Sequence, residues 1–190
     1  MFKHLIISFA LVLSLHSSDE EINHLPFEYM NVQYAGYIGF LSVGGGNTFY
    51  DGKYDLEFYI GVTPRFFGIS EISIYTFALK NNYIPFTLEH RGYNIRPYFG
   101  VGMLAAKNSR YDPNWQDEID SDYYYQNNWH ISVNTGININ KKLTNSMIDS
   151  LGIYVEAVAL DTFLQNYYLN YDSVEITDTF SLAIGVRIEF

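Results

Sequence analysis

The last twelve residues of the chain alternate without a break between apolar side chains and polar or small ones. They read TFSLAIGVRIEF, with every second residue from Phe180 to Phe190 apolar. Because successive side chains of a β-strand point to opposite faces, this pattern predicts a strand that is apolar on one face and polar on the other. An unprotected apolar strand at the end of a soluble protein invites pairing with other chains, whereas the last strand of a closed barrel pairs with the first. The segment therefore favours a barrel that lies in a membrane.

Other segments have the length or the alternation of strands. The clearest are 54–63 and 129–140, and Asp51-Gly52 before the first of them is a strong hairpin signal. The apolar strands are about ten residues long, the length that a tilted membrane strand needs. We therefore predict an all-β fold, an eight-stranded antiparallel up-and-down transmembrane β-barrel. Its remaining strands are predicted at 26–34, which has no clean apolar face, and at 37–49, 72–82, 95–106, 151–160 and 179–190.

Two long polar connections, 107–128 and 161–178, are separated by an even number of predicted strands. They must therefore lie at the same end of an up-and-down barrel, with the Asp51-Gly52 turn and the 141–150 connection at the other. Outer-membrane barrels have short periplasmic turns and longer external loops. This arrangement predicts that 107–128 and 161–178 are external.

The first 18 residues have the pattern of a secretory signal peptide. A basic start at Lys3 and His4 precedes an apolar run from Leu5 to Leu15, and small residues suited to cleavage follow. The run is too short to cross a bilayer as a helix, and an N-terminal anchor is the alternative interpretation. We predict a signal peptide at 1–18, one barrel domain at 19–190, and Sec-type export to the outer membrane of a Gram-negative bacterium.

Composition agrees with a membrane location and excludes some partners. Tyrosine collects at membrane interfaces, and the chain has 18 of them. Removal of residues 1–18 takes away Lys3 alone among the charged residues, so the formal net charge falls from −10 to −11. A strongly acidic chain lacks the basic face that nucleic acid requires. The expected partners are outer-membrane lipids, lipopolysaccharide and, through the C-terminal strand ending in Phe190, the barrel-assembly machinery.

Charged and amide side chains lie on the polar faces of the predicted strands. In a membrane barrel those faces point inward, where buried charges need partners. We therefore predict an interior polar network formed by Asp55, Glu57, Arg96, His130, Asn134, Glu156, Arg187 and Glu189.

Three polar residues also form a catalytic candidate. His130 and Ser132 share one face of a strand, and Glu156 is predicted on the neighbouring strand, which is the set of groups that a histidine-activated serine uses. Ordinary membership of the interior network is the favoured interpretation. The acidic segment 112–122 has clustered oxygens but no regular spacing, so we interpret it as a solvated loop. No metal site and no cofactor is predicted, and the absence of cysteine excludes disulfides.

Three segments resemble strands of the lipid A 3-O-deacylase family, within a general similarity to small eight-stranded outer-membrane barrels. They are IRPYFGVGMLAA, SLGIYVEAVAL and DTFSLAIGVRIEF, which resemble that family's fifth, seventh and eighth strands. The resemblance implies a barrel fold and a lipid A esterase whose His-x-Ser lies on the seventh strand, facing lipid. The matching positions here hold Ala157 and Ala159, whereas His130 and Ser132 lie one strand earlier on the polar face.

Three functions remain open at this point. The first is a non-enzymatic outer-membrane barrel that acts structurally or through surface interaction by way of 107–128 and 161–178. The second is a lipid A deacylase-like hydrolase of the outer membrane. The third is a soluble periplasmic ligand-binding barrel, which would place the charged side chains outside and the aromatic ones inside.

Overall fold

The computed structural model describes residues 26–64, 73–108, 129–144 and 147–190. These residues form a barrel of antiparallel strands with two helices at one end. The strands are β1 (Tyr29–Ala35), β2 (Leu41–Phe49), β3 (Tyr54–Thr63), β4 (Ile74–Tyr83), β5 (Leu88–His90), β6 (Tyr93–Asn108), β7 (Trp129–Lys142), β8 (Ser150–Leu160) and β9 (Ser181–Glu189). The helices are α1 (Asp161–Leu169) and α2 (Ile176–Thr179). No helix within the described ranges is long and apolar enough to cross a membrane.

Eight of these strands close into a ring. β1 to β4 pair in chain order, and so do β6 to β9. The ring is closed by the pairing of β9 with β1 and of β4 with β6, while β5 pairs with β6 outside the ring. The register brings Tyr29 opposite Glu189 and Ile74 opposite Asn108. The predicted eight-stranded antiparallel up-and-down barrel is therefore confirmed.

The two faces of β1 account for the absence of a clean apolar face in its sequence. Its inward residues, Tyr29, Asn31 and Gln33, are buried although all three carry polar groups. The outward residue Tyr34 is half exposed. A strand with polar residues inside and mixed residues outside shows no clean apolar face in sequence, yet both of its edges are paired.

Two connections differ from the sequence prediction. The segment 161–178, predicted as a loop, contains α1 and α2, and a carboxylate at the start of α1 suits the positive end of the helix dipole. The connection between the strands predicted at 72–82 and 95–106 contains β5, which pairs with residues 93–95 of β6 across an Arg91-Gly92 turn. Gly92 in that turn has a φ of 81°, a conformation that glycine adopts without strain.

Several sequence predictions fall wholly or mostly outside the described residues. The signal peptide at 1–18 and the acidic segment 112–122 lie there entirely. Only the first two residues of 107–128 are described, and they form the end of β6.

The two ends of the barrel differ in their connections. The short-turn end carries residues 50–53, the β4–β6 hairpin, residues 143–149 and the carboxyl terminus. The loop end carries residues 36–40 and the helical segment 161–180. The described part of the chain thus keeps the predicted grouping, with the 161–178 connection opposite the Asp51-Gly52 turn.

The inside and the outside of the barrel have opposite chemistry. The outward apolar side chains on β3, β4, β6, β7, β8 and β9 are largely exposed, among them Ile60, Phe77, Met103, Ile131, Ile153 and Ile184. Buried inward positions instead hold Asp55, Glu57, Lys80, Glu156 and Arg187. A soluble ligand-binding barrel requires the reverse arrangement, so the strand faces oppose that alternative.

Candidate functional site: an ion-paired interior closed at the loop end

Arg187 on β9 is the centre of an ion-pair cluster near the short-turn end. Its Nη1 lies 2.7 Å from Oδ2 of Asp55, and its Nη2 bonds the Glu57 carboxylate. The guanidinium also stacks over the Tyr29 ring, 3.9 Å from the ring centroid. A planar guanidinium serves two carboxylates and an aromatic face at once, which an ammonium group would do less well. The neighbouring inward positions of β1, β3 and β9 create this cluster.

A second arginine extends the cluster towards the short-turn end. Arg96 Nη2 lies 3.2 Å from Asp55 Oδ1, and its Nη1 lies 3.4 Å from Glu189 Oε1. Glu189 also accepts hydrogen bonds from Asn140 Nδ2, at 2.6 Å, and from the Ser150 hydroxyl. Asp55 is therefore shared by two arginines, and the chain continues to Glu189 at the end of the barrel.

The middle of the interior is crossed by an ion pair between Lys80 on β4 and Glu156 on β8. Both side chains are almost fully buried, with 2% and 1% of their surface exposed. The other carboxylate oxygen of Glu156 accepts from Tyr98 Oη and from Asn134 Nδ2, each at 3.2 Å. Three donors around one buried carboxylate offset much of the cost of removing its charge from water.

Lys80 was not predicted from the sequence. Its strand is predicted at 72–82, and in the structure Thr76, Ala78, Lys80 and Asn82 form one inward set of that strand. The outward set of Tyr75, Phe77 and Leu79 carries the period-two signal that identifies this face. Lys80 falls on the alternate positions to those three apolar residues, which indicates that it points into the barrel.

Tyrosine and amide side chains join the two charged groups. Asn31 Nδ2 donates to Tyr59 Oη at 2.7 Å and to Glu57 Oε1 at 3.1 Å. The hydroxyls of Tyr59 and Tyr154 lie 3.4 Å apart, and Tyr154 donates to Gln33 Oε1 at 3.1 Å. Asn82 and Asn134 link the Arg187 cluster to the Lys80–Glu156 pair. Asn82 Nδ2 donates to Glu57 Oε2 at 3.1 Å, and Asn134 Nδ2 donates to Asn82 Oδ1 at 2.7 Å and to Glu156 Oε2 at 3.2 Å.

His130 lies apart from this network, at the loop end. Its Nδ1 is 3.1 Å from Oδ1 of Asp161, the first residue of α1. The Asp161 carboxylate also accepts from the backbone N–H groups of Ile131, at 3.2 Å, and Thr162, at 2.8 Å. Partial burial raises the pKa of Asp161, but the two N–H donors and the His130 ring outweigh it and hold that pKa below its usual value.

The predicted candidate of His130, Ser132 and Glu156 is not assembled as a triad. Glu156 bonds Lys80, Tyr98 and Asn134, whereas the carboxylate beside His130 is that of Asp161. In the register, Glu156 faces Gly136 and Ser132 faces Leu160, four residues further along β8. The sequence could not indicate Asp161, because it lies in a connection that carries no strand periodicity.

Above the ion pair, the connection between β1 and β2 folds into the loop end of the barrel. Ile38 at its centre is buried and packs with Tyr59, Ala78 and Leu104. The Thr76 hydroxyl donates to the Ile38 carbonyl, which fixes the connection in place. Ile38 therefore forms an apolar layer between the ion-paired interior and the loop end.

The helical segment 161–180 is fixed over the same end. Phe163 of α1 stacks on Tyr37, with ring centroids 5.1 Å apart, and Tyr37 Oη donates to the Thr179 carbonyl at 3.3 Å. With the His130–Asp161 pair, these contacts tie both helices to the barrel rim. The outer side of the segment leaves Tyr168, Tyr171 and Ile176 exposed.

A closed barrel of eight strands, apolar outside and ion-paired inside, has the architecture of a small membrane β-barrel. Within the described ranges, no group of three or more histidine, aspartate or glutamate side chains is arranged to hold a metal ion. The described interior is an ion-paired, hydrogen-bonded core that lies below a partly exposed loop end.

Comparison with known proteins identifies no family for this chain. No family model and no curated protein matches the chain. Solved structures similar to it include the N-terminal β-barrel domain of OprF from Pseudomonas aeruginosa, at 14% identity and a TM-score of 0.44, covering 86% of this chain and 98% of that one. Neisserial surface protein A (NspA) is similar at 10% identity and a TM-score of 0.41, covering 85% and 94%.

Proposed function

We propose that this chain is a non-enzymatic β-barrel protein of the outer membrane of a Gram-negative bacterium, exported by a Sec-type pathway. Its role is structural or surface interaction through 107–128 and 161–178. The observation that carries the proposal is the apolar outer surface around a buried, ion-paired interior. Exposed contiguous apolar surface of this extent needs a covering, and hydrocarbon covers all sides of a closed barrel equally.

The dimensions of the outer surface fit a bilayer. A ten-residue strand such as β3, rising about 3.3 Å per residue and tilted by about 40°, spans about 25 Å, the height of the apolar band in outer-membrane barrels. Aromatic side chains border the band at both ends, as they do at membrane interfaces. Those at the short-turn end include Tyr50, Tyr54, Tyr83 and Phe99, and those at the loop end include Tyr34, Tyr75 and Trp129.

The filled interior supports a role without conduction. Eight strands enclose a space that side chains can fill. Here the Arg187 cluster and the Lys80–Glu156 pair cross it, and Ile38 closes it above. Passage of a solute would require these layers to separate, so we do not propose a porin.

The loop end supports surface interaction. Residues 161–180 contain four acidic residues and no lysine or arginine, and Asp172, Glu175 and Asp178 among them are exposed. Exposed tyrosines lie beside these carboxylates, and aromatic residues are enriched where proteins bind partners. The contacts of Asp161, Phe163 and Tyr37 hold this surface in one arrangement before any partner binds.

The proposed location in the outer membrane also implies lipid partners and an assembly partner. We propose that outer-membrane lipids, including lipopolysaccharide at the external side, surround the apolar outer surface of the strands, which is called the belt below. The barrel-assembly machinery is the proposed partner of the C-terminal strand that ends in Phe190.

Membrane fractionation followed by unheated and heated SDS gels tests the proposal. We expect recovery in the outer-membrane fraction and a heat-dependent change in mobility, because a closed barrel resists SDS until it is heated. Recovery in the soluble fraction with no mobility change would contradict it.

A lipid A deacylase-like hydrolase is a second candidate, favoured only by the contact between His130 and Asp161. A carboxylate at Nδ1 is the partner that orients a histidine base, and Ser132 lies two residues along the strand. Lipid A mass spectra from cells with the wild type and with His130→Ala test it. Acyl loss that disappears with the substitution would support this candidate, and unchanged lipid A would reject it.

A further inference from the structure

Asn81 is a polar side chain on the outer surface of β4. The strand alternates, and Asn81 is exposed on the same face as Phe77 and Leu79. Its partners across the sheet are Leu56 on β3 and Val101 on β6, which are 40% and 58% exposed. An amide therefore lies in the middle of an apolar patch on the belt.

Two other polar side chains on the outer surface of the described strands, Asn47 and Thr135, have local hydrogen-bond partners. Asn47 Oδ1 accepts from the backbone N–H of Glu28 at 2.9 Å, and its Nδ2 donates to the Pro26 carbonyl at 3.2 Å. Thr135 Oγ1 donates to the Tyr98 carbonyl at 3.1 Å. The Asn81 amide has no such partner among the residues that the structure describes. In hydrocarbon no water replaces the missing partner.

The depth of Asn81 separates it from the membrane surface. The next outward residue on β4 is Tyr83, whose register partners are Tyr54 and Phe99 in the aromatic border. Asn81 is one step of two residues further inside, about 5 Å along the membrane normal for a tilted strand. Its single methylene is too short to carry the amide past that border.

We propose that the outer surface of β3, β4 and β6 around Asn81 is a self-association surface, on which a second copy of this chain docks. The proposal rests on the membrane location proposed above. A carboxamide both donates and accepts, so two Asn81 side chains related by a two-fold axis complete each other. Asparagine is used in this way between membrane segments. Leu56, Leu79 and Val101 supply the surrounding apolar contact.

Cross-linking in reconstituted liposomes tests the proposal with the full barrel. The chain has no cysteine, so Leu56→Cys introduces a unique thiol beside Asn81. A short membrane-permeant bismaleimide is expected to give a dimer band with this variant. Val186→Cys on β9, on the opposite side of the ring from β4, serves as the matched control and is expected to give little.

Substitutions at position 81 distinguish association that depends on the Asn81 amide from non-specific association of crowded barrels. Added to Leu56→Cys, Asn81→Leu is expected to lower the dimer fraction by about threefold to tenfold, the range that corresponds to side-chain hydrogen bonds between transmembrane helices. Asn81→Gln keeps an amide and should restore most of the dimer. Thr135→Val, which removes a locally bonded polar group from the belt, should change nothing.

The other outcomes overturn the inference. Equal cross-linking from Leu56→Cys and Val186→Cys, or cross-linking that survives Asn81→Leu, would show that the amide does not direct association. A heat-modifiable barrel in the membrane that remains monomeric would reject the surface while leaving the proposed function intact. Recovery as a soluble protein would reject the proposed function itself.

Discussion

Lys80 and Glu156 form an ion pair across the barrel interior between β4 and β8, two strands that do not pair with each other. Their side chains reach through the centre of the ring rather than along its wall. The pair therefore ties opposite parts of the sheet together and also blocks the space between them.

Removing only one charge of the Lys80–Glu156 pair is expected to destabilise the folded barrel. Glu156→Gln leaves the Lys80 ammonium buried, and loss of one partner of a buried ion pair destabilises by about 3–5 kcal/mol. Urea unfolding of the refolded barrel, followed by tryptophan fluorescence, measures the loss. Glu89→Gln is the matched control, because its exposed pair with Lys142 should contribute less than about 1 kcal/mol. Equal costs for the two substitutions would contradict the assignment.

The connection of α1 to the barrel is expected to weaken in acid. The pKa of Asp161 lies below its usual value, so its ionised form stabilises the folded loop end. That stabilisation is complete above the ordinary carboxyl pKa of about 4 and is lost as pH falls through the lower folded-state pKa. A spin label at Gln165→Cys should therefore become more mobile below about pH 4.

Asp161→Asn provides the control for this titration. It removes the ionisable group while keeping an oxygen that can accept the N–H groups of Ile131 and Thr162. Label mobility in this variant should depend little on pH over the same range. An unchanged acid transition would assign the effect to another group.

Conduction should be absent in the wild type. Ile38 and the Lys80–Glu156 pair are two successive barriers, so liposomes containing the protein should not swell in small sugars. Ile38→Ala should also fail to conduct, because the ion pair below remains. Swelling at the rate of a general porin would contradict the filled interior.

Phe190 is expected to matter for assembly and not for stability. Its backbone N–H donates to the Glu28 carbonyl at 3.0 Å, a bond that Phe190→Ala retains. We expect the substitution to lower the amount of assembled barrel in cells severalfold while refolding into detergent is unchanged. Phe86→Ala, at an exposed aromatic of the same barrel end, is the control. Equal losses in cells would reject a specific role for Phe190 in assembly.

The strands were predictable because their signal is local. Outward residues such as Leu56, Phe58 and Ile60 recur at period two, and a strand that is apolar on one face alone has few folded alternatives. The Lys80–Glu156 contact was not predictable, since it depends on which inward positions of distant strands reach the same level. That level is set by the register of the whole ring rather than by either sequence segment.

The loop end was less predictable for a related reason. The segment 161–180 carries tyrosine and asparagine without apolar periodicity, so neither α1 nor the contact between Phe163 and Tyr37 was expected. The partner of His130 was unpredictable from the sequence for the same reason. Its position on β7 indicated a polar face, but the carboxylate that meets it comes from the helix.

The orientation of the two faces of the strands is tested most directly by the surroundings of single outward residues. Ile60→Cys on β3 and Tyr168→Cys on α1, each labelled with bimane in liposomes, place a probe on the belt and at the loop end. We predict strong quenching of the Ile60 probe by lipids with brominated acyl chains and little by aqueous iodide, with the opposite result at Tyr168. Iodide quenching at Ile60 as strong as at Tyr168 would contradict a membrane-facing belt.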